Sequence, residues 1–166
     1  MTWAVAILAF VTLQRLGELW LSHRNTRTLL VQGAVEHGRP HYPLIVAVHA
    51  GWLAALWWLA PGRPIHWLLI ALFVLLQLAR IWVIATLGRR WTTRIIVLPG
   101  APLVARGPYR FVSHPNYVVV IGEIALLPLA FGLWTVALVF SALNAVVLAV
   151  RVRAENKALA AGRTTP

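Results

Sequence analysis

Cysteine and aspartate are both absent from this chain. Without cysteine there are no disulfides, no thiolate metal sites and no cysteine nucleophile. Charge of either sign is scarce: 11% of the 166 residues are charged, against about 25% in soluble domains. Acid is scarcest, with four glutamates set against fourteen arginines and one lysine, for a net charge of +11. HExxH, Walker, GxGxxG and GxSxG signatures are also missing, so any nucleotide-like cofactor has to bind without a Rossmann fold. Five of the histidines, His23, His37, His41, His49 and His66, are scattered without ligand spacing, which argues against a metal site. No recognition module accompanies the basic surplus, which argues against nucleic acid as partner.

Apolar sequence is what the chain has: 60% hydrophobic residues and a mean hydropathy of +0.77. About 20 apolar residues cross a bilayer, and five segments qualify: Thr2–Leu21, Tyr42–Ala60, Ile65–Leu87, Tyr117–Phe131 and Leu133–Val150. The expected fold is an all-α integral membrane bundle of about five transmembrane helices in one domain, residues 1–166, with three spans in residues 1–87. The fourth segment is short and carries Pro128, so it is expected to tilt or kink. Phe131-Gly132 leaves almost no loop, making the last two spans a tight hairpin followed by a cytoplasmic C-terminal helix. The first segment lacks the basic flank and cleavage site of a signal peptide.

Arginines gather after alternate spans. Arg24, Arg27 and Arg39 follow the first, Arg89, Arg90, Arg94, Arg106 and Arg110 the third, and Arg151, Arg153, Lys157 and Arg163 the fifth. The positive-inside rule then sets the N-terminus outside and the C-terminus, with the 88–116 segment, in the cytoplasm.

The polar run GPYRFVSHPNY, from Gly107 to Tyr117, stands directly before a span. Pro115 is placed to open that helix, holding His114 at an N-terminus whose free N–H groups favour an anionic group. Upstream, Pro99-Gly100 reads as a turn, while Pro102 and Pro108 keep the chain extended. Trp91 beside Arg90 suits a membrane–water interface. Glu18 lies within i,i+3 reach of Arg15, as an anchoring ion pair or an intramembrane functional group. Glu123, two turns into the fourth span, either touches a ligand or buttresses a neighbouring helix. Glu36 reads as a solvated loop carboxylate. Arg151 and Glu155 share a helix face at i,i+4, as a structural salt bridge or part of a site.

GPYRFVSHPNY, an apolar hairpin and then R-x-x-x-E-x-x-x-L together resemble the isoprenylcysteine carboxyl methyltransferase family of integral membrane enzymes, over about residues 88–160. QRLGELWLSHRN and GRPHYPLIVAVHAGWL look like a bacterial branch of it, some of whose members methylate alkylpyrones. The resemblance implies S-adenosyl-L-methionine as cofactor, held by residues 88–161, and a lipophilic acceptor entering from the bilayer of a bacterial inner membrane. By motif position, Ala101, Pro102, Leu103 and Val104 would line the cofactor from the extended segment. Tyr109, His114, Pro115, Asn116 and Tyr117 would complete its pocket, Glu155 would hold a polar part of it, and Arg151 would meet the acceptor oxygen. Arg94 and Glu123 join Arg151 as candidate acceptor contacts, and Arg151 and Glu155 are the candidate catalytic pair. Ser113 and Asn156 depart from the family pattern of Arg and Glu, which weakens a prenylated cysteine as the acceptor. A carboxylate or acidic enol needs only alignment with an activated methyl. The competing class is a transporter or channel subunit using Arg15, Glu18 and Glu123 as a polar path; no inverted repeat accompanies it.

Overall fold

The first helix carries its polar side chains inward and its apolar ones outward. In the computed structural model, which describes residues 3–164 and side chains through Ala161, helix α1 runs Trp3–Val31. Gln14, Glu18, Ser22 and Asn25 recur at helical spacing, so they lie on one face. Glu18, Ser22 and Asn25 on that face are buried, while Trp3, Phe10, Leu13, Leu16 and Trp20 are exposed. This is the arrangement expected where the outside is lipid. The helix continues ten residues beyond the expected Leu21, so Arg24 and Arg27 sit on it and not in a loop. Thr2 and the Arg163 side chain lie outside the described residues.

Helix α2 (Tyr42–Leu59), α3 (Trp67–Leu87), α4 (Pro115–Ala130) and α5 (Trp134–Thr164) complete the bundle. Four helices, α1, α2, α3 and α5, are long and apolar enough to cross a membrane. Helix α4 has 16 residues, about 24 Å at 1.5 Å per residue. It makes up in burial what it lacks in length: Val120, Ile124 and Leu127 join Leu8, Trp52, Leu56 and Phe73 in the main core. Gly122 allows its close approach to α3, since a Cβ there would meet Leu76 Cδ1 at 2.6 Å. Pro128 lies in the last turn, so it ends the helix and does not kink its middle. Gly132 follows with φ +68° and α5 begins at Trp134, giving the tight hairpin. Helix α5 then continues past Val150, as the sequence suggests.

One element was not expected. Strands β1 (Val35–His37) and β2 (Ile95–Val97) pair antiparallel, with Val35 opposite Val97 and His37 opposite Ile95. Buried Ile95 and Val97 pack on Ala158 of α5, so this two-stranded sheet ties the loop after α1 to the last helix. It also corrects Glu36. That carboxylate is largely covered and receives Arg94 Nη1 at 2.9 Å, with Arg39 Nε 3.7 Å away.

The ends of the helices alternate as the charge pattern requires. Asn25 near the end of α1 donates to Gly88 and Trp91 carbonyls just beyond α3, at 3.2 and 2.8 Å. Trp3 and Trp67 meet edge-on at the opposite end. Trp91 is 2% exposed, an internal anchor and not an interfacial one.

Candidate active site

Two arginine–glutamate clusters lie one above the other. The deeper cluster joins three helices inside the bundle. Glu123 of α4 accepts from Arg15 Nη2 at 2.7 Å, Arg80 Nη1 at 2.9 Å and Gln77 Nε2 at 2.8 Å. Glu18 accepts from Arg15 at 3.0 Å, from Gln14 at 3.1 Å and from Arg80 through two nitrogens. Two guanidiniums thus neutralise two carboxylates, which is the condition for burying charge in a membrane. Arg15 and Glu18 pair as the spacing predicts, and Glu123 buttresses α1 and α3, fully buried. Arg80 and Gln77 escaped the sequence reading. Their signal was present: two strongly polar residues three apart, on one face of an otherwise apolar span.

The upper cluster opens on a cleft of about 100 Å³ at the end of the bundle that carries residues 88–114. Pro115 starts α4, with His114 immediately before it, and the helix's first turn carries Asn116 and Tyr117. Arg151 and Glu155 do not touch one another directly. The Tyr117 phenol stands between them, accepting from Arg151 Nε at 2.7 Å and donating to Glu155. The Arg151 guanidinium also lies 5.6 Å from the Tyr117 ring centroid and donates through Nη2 to the Thr93 carbonyl at 2.7 Å. Thr93 is itself held from two helices: its N–H donates to Ser22 Oγ at 2.8 Å, and its hydroxyl meets Ser22 and the Tyr42 hydroxyl. Two segments, α4 through Tyr117 and the loop at Thr93, therefore fix the Arg151 head, and α1 and α2 hold that loop.

His114 stacks on Tyr117 at 5.2 Å and 24°. Its Nε2 pairs with Asn156 Oδ1 at 2.9 Å and its Nδ1 is 3.8 Å from Glu155. Asn156 thus fills the departure position with a group that meets an imidazole directly. Burial, with the Glu155 charge second, pushes the Tyr109 phenol up from its ordinary range, so it stays protonated at neutral pH. Asn116 Oδ1 is buried without a hydrogen-bond partner. Gln14 Oε1, Arg15 Nε and Thr26 Oγ1 are likewise buried without a partner but line no cleft, so its place on the cleft wall sets Asn116 apart.

Of the expected site residues, Arg94, Tyr109, His114, Asn116, Tyr117, Arg151 and Glu155 line this cleft. Pro115 is buried as the helix start. Pro102, Leu103 and Val104 line a second cleft, which shares Leu87 and Arg90 with the first; Ala101 lines neither. Pro99-Gly100 forms the expected turn, with Ala101 N–H donating to Leu98 O at 3.2 Å, and 101–105 are irregular. Pro108, expected in extended chain, instead starts a 3-10 turn over Gly107–Arg110. Gly107 is required there: φ is +56° and a Cβ would meet Thr86 Oγ1 at 2.6 Å. Glu123 lines neither cleft. His49 is occupied by the Ile45 carbonyl, and no metal-binding group of three or more His, Cys, Asp or Glu exists among the described residues.

A helical membrane bundle with an arginine, a tyrosine and a carboxylate lining a cleft at one end has the form of a small integral membrane enzyme. The isoprenylcysteine carboxyl methyltransferase family model matches residues 69–161, and the chain belongs to that family. It is therefore a membrane methyltransferase by family. Over 158 residues it is 40% identical to a protein named YpbQ and described as uncharacterized, from Bacillus subtilis (strain 168), covering 92% of this chain and 94% of the relative. An uncharacterized protein of Haemophilus influenzae is 28% identical over 153 residues, covering 87% and 88%. No solved structure matches the chain.

Proposed function

We propose that the chain transfers a methyl group from S-adenosyl-L-methionine to an oxygen of a lipophilic acceptor, a carboxylate or an acidic enol or phenol, at the cytoplasmic face of a bacterial inner membrane. The observation that carries this is the first cleft, where Tyr117 links Arg151 to Glu155 beside the unpartnered Asn116 Oδ1. Bound there, S-adenosylmethionine supplies a sulfonium methyl that needs no further activation. The residues present fit it. Asn116 Oδ1 is an acceptor for an amino group, Glu155 a carboxylate for a cationic one, and Tyr109 and His114 offer rings against which a planar base stacks. Pro102 O receives Arg90 Nη1 at 2.7 Å, so the extended segment braces the wall of this cleft.

Arg151 is the group for the acceptor. Its guanidinium is held by Tyr117 and Thr93, and an arginine keeps donors to spare after two such bonds. Those donors orient an oxyanion by charge-assisted bonds. A carboxylate arrives already deprotonated, so no general base is required and alignment supplies most of the rate. The apolar helix ends under the cleft exclude water. The charge pattern that sets the arginine-rich end inside the cell supports the cytoplasmic assignment, since the methyl donor is made there. The family match and the departure at Ser113 support a lipophilic acid or alkylpyrone-like enol. The transport reading has no comparable support, because Arg15, Glu18 and Glu123 are tied to one another and line neither cleft.

Calorimetry of the purified protein with S-adenosylmethionine tests the reading, together with transfer of a labelled methyl group into lipid extract. Binding and a labelled lipid product are expected. Absence of binding, or label transfer unaffected by Arg151→Ala and Glu155→Ala, overturns it.

A further inference from the structure

Tyr42, the first residue of α2, is half-buried and lines neither cleft. It touches two consecutive residues at the edge of the candidate active site. Its hydroxyl lies 3.0 Å from Thr93 Oγ1, and the Arg94 guanidinium sits 4.9 Å from its ring centroid. One planar peptide joins Thr93 to Arg94. The carbonyl of that peptide accepts from Arg151 Nη2 at 2.7 Å, and the next Cα bears Arg94, which lines the cleft with Arg151. A rotation of this single plane therefore moves both arginines.

Side chains, and not a helix or a ladder, set the orientation of that plane. Thr93 and Arg94 form a bend just before β2. The Thr93 N–H is satisfied by Ser22 Oγ and its C=O by Arg151, so both of its backbone polar groups are paired with side chains. The Thr93 hydroxyl is the remaining handle, and Ser22 of α1 and Tyr42 of α2 hold it from two helices. On the Arg94 side, the Tyr42 ring carries one face of the guanidinium while Glu36 receives Nη1 at 2.9 Å. Ring and carboxylate together give the guanidinium one direction.

We propose that Tyr42 is a positioning residue for methyl transfer: its hydroxyl, through Thr93, aims Arg151 at the acceptor oxygen, and its ring holds Arg94 at the cleft. The proposal rests on the methyl-transfer reading and adds to it a residue far upstream of the motif positions. In-line attack tolerates little misalignment, since a displacement of about 1 Å costs on the order of a hundredfold in rate. A loosened Thr93 carbonyl costs part of that, without touching the methyl donor.

The full chain in nanodiscs, with methyl-labelled S-adenosylmethionine and bacterial lipid extract as the acceptor, tests it. Tyr42→Phe keeps the ring beside Arg94 and loses the hydroxyl. Its kcat should fall roughly tenfold, with S-adenosylmethionine affinity by calorimetry and the half-saturating amount of extract both unchanged. Tyr42→Leu loses the ring as well and should also raise that half-saturating amount several-fold. Thr93→Val should slow transfer at least as much as Tyr42→Phe, and Thr93→Ser, which keeps the hydroxyl, should restore the wild-type kcat. Adding Tyr42→Phe to Thr93→Val should slow it no further, because the phenol then has no partner to lose. A readout that needs no reaction is the Arg151 Nε–H signal of nitrogen-15 arginine-labelled protein, identified by its loss in Arg151→Lys. Its exchange with water should quicken several-fold in Tyr42→Phe. If it quickens while wild type transfers no label, the aiming of Arg151 stands and the methyl-transfer reading falls. Unchanged exchange in Tyr42→Phe overturns the proposal whatever the wild type transfers. So does an unchanged kcat, or a loss of S-adenosylmethionine affinity that matches the loss of kcat, which would make the hydroxyl a support of the whole fold.

Discussion

The two arginine–glutamate clusters are built from the same residue types and stacked along α4, with Tyr117 and Glu123 about 9 Å apart along the axis at 1.5 Å per residue, yet they are finished differently. In the deep one both carboxylates receive guanidinium and amide donors contributed by two helices, α1 and α3. In the upper one a phenol separates the arginine from the carboxylate, and all three side chains line an open cleft. Matched charges with no cavity hold a bundle together. Ones that line a cleft are free to meet something else. Residue type alone does not distinguish structure from site; access to a cleft does.

The largest effect should come from breaking the closed cluster. Glu123→Ala strands Arg80 and Arg15 in the bundle, and removing one partner of a buried pair costs roughly 3–5 kcal/mol. Thermal unfolding in detergent should show it as a large drop in midpoint. A folded Glu123→Ala protein that had lost only methyl transfer would move the deep cluster into the active site.

Arg151→Ala should do the opposite: methyl transfer falls roughly a hundredfold or more, as for a lost transition-state donor, with a much smaller loss of unfolding temperature than Glu123→Ala. Label transfer to lipid checks the first half and the same melting measurement the second. Arg151→Lys should not restore activity, because Nε and Nη2 reach Tyr117 and Thr93 in different directions and one ammonium does not copy that fork.

Tyr117→Phe keeps the ring against His114 but removes the bridging hydroxyl. A charge-assisted bond contributes about 1.5 kcal/mol or more, so S-adenosylmethionine affinity should fall roughly tenfold by calorimetry. The smallest effect sharpens the contrast most. Asn116→Ala deletes a group the fold does not use, so stability should stay within about 0.5 kcal/mol while cofactor affinity drops several-fold. A clear loss of stability there would mean Asn116 serves the fold instead.

Much of this was legible in sequence because lipid simplifies the code. Apolar runs of sufficient length gave the helices, and Pro115 and Gly132 marked where α4 begins and where the hairpin turns. Tyr109, His114, Asn116 and Tyr117 of the motif lie on one cleft with Arg151 and Glu155. What escaped depends on partners distant in the chain. Glu36 looked solvated because Arg94, its partner, is 58 residues away. Trp91 looked interfacial because nothing local shows the helix ends that enclose it. A three-residue strand has too little alternation to be seen without the strand it pairs with. Arg80 is the instructive omission: a lone arginine within a span has to be paired, and listing the available carboxylates would have led to Glu18 and Glu123.

The small sheet has a consequence for how the protein is made. Val35 must wait for Val97, and at roughly 5–20 residues per second the ribosome needs about 3–12 s to deliver it. Through that interval the first two helices stand in the membrane with Ser22 and Tyr42 already in place but Thr93 not yet synthesised. The support for Arg151 is thus laid down before the arginine exists, by residues outside the 69–161 region that marks the family. A chain starting at that boundary would carry the family motifs without Ser22, Tyr42 and β1, and so without the parts that hold Thr93 and β2 against α5.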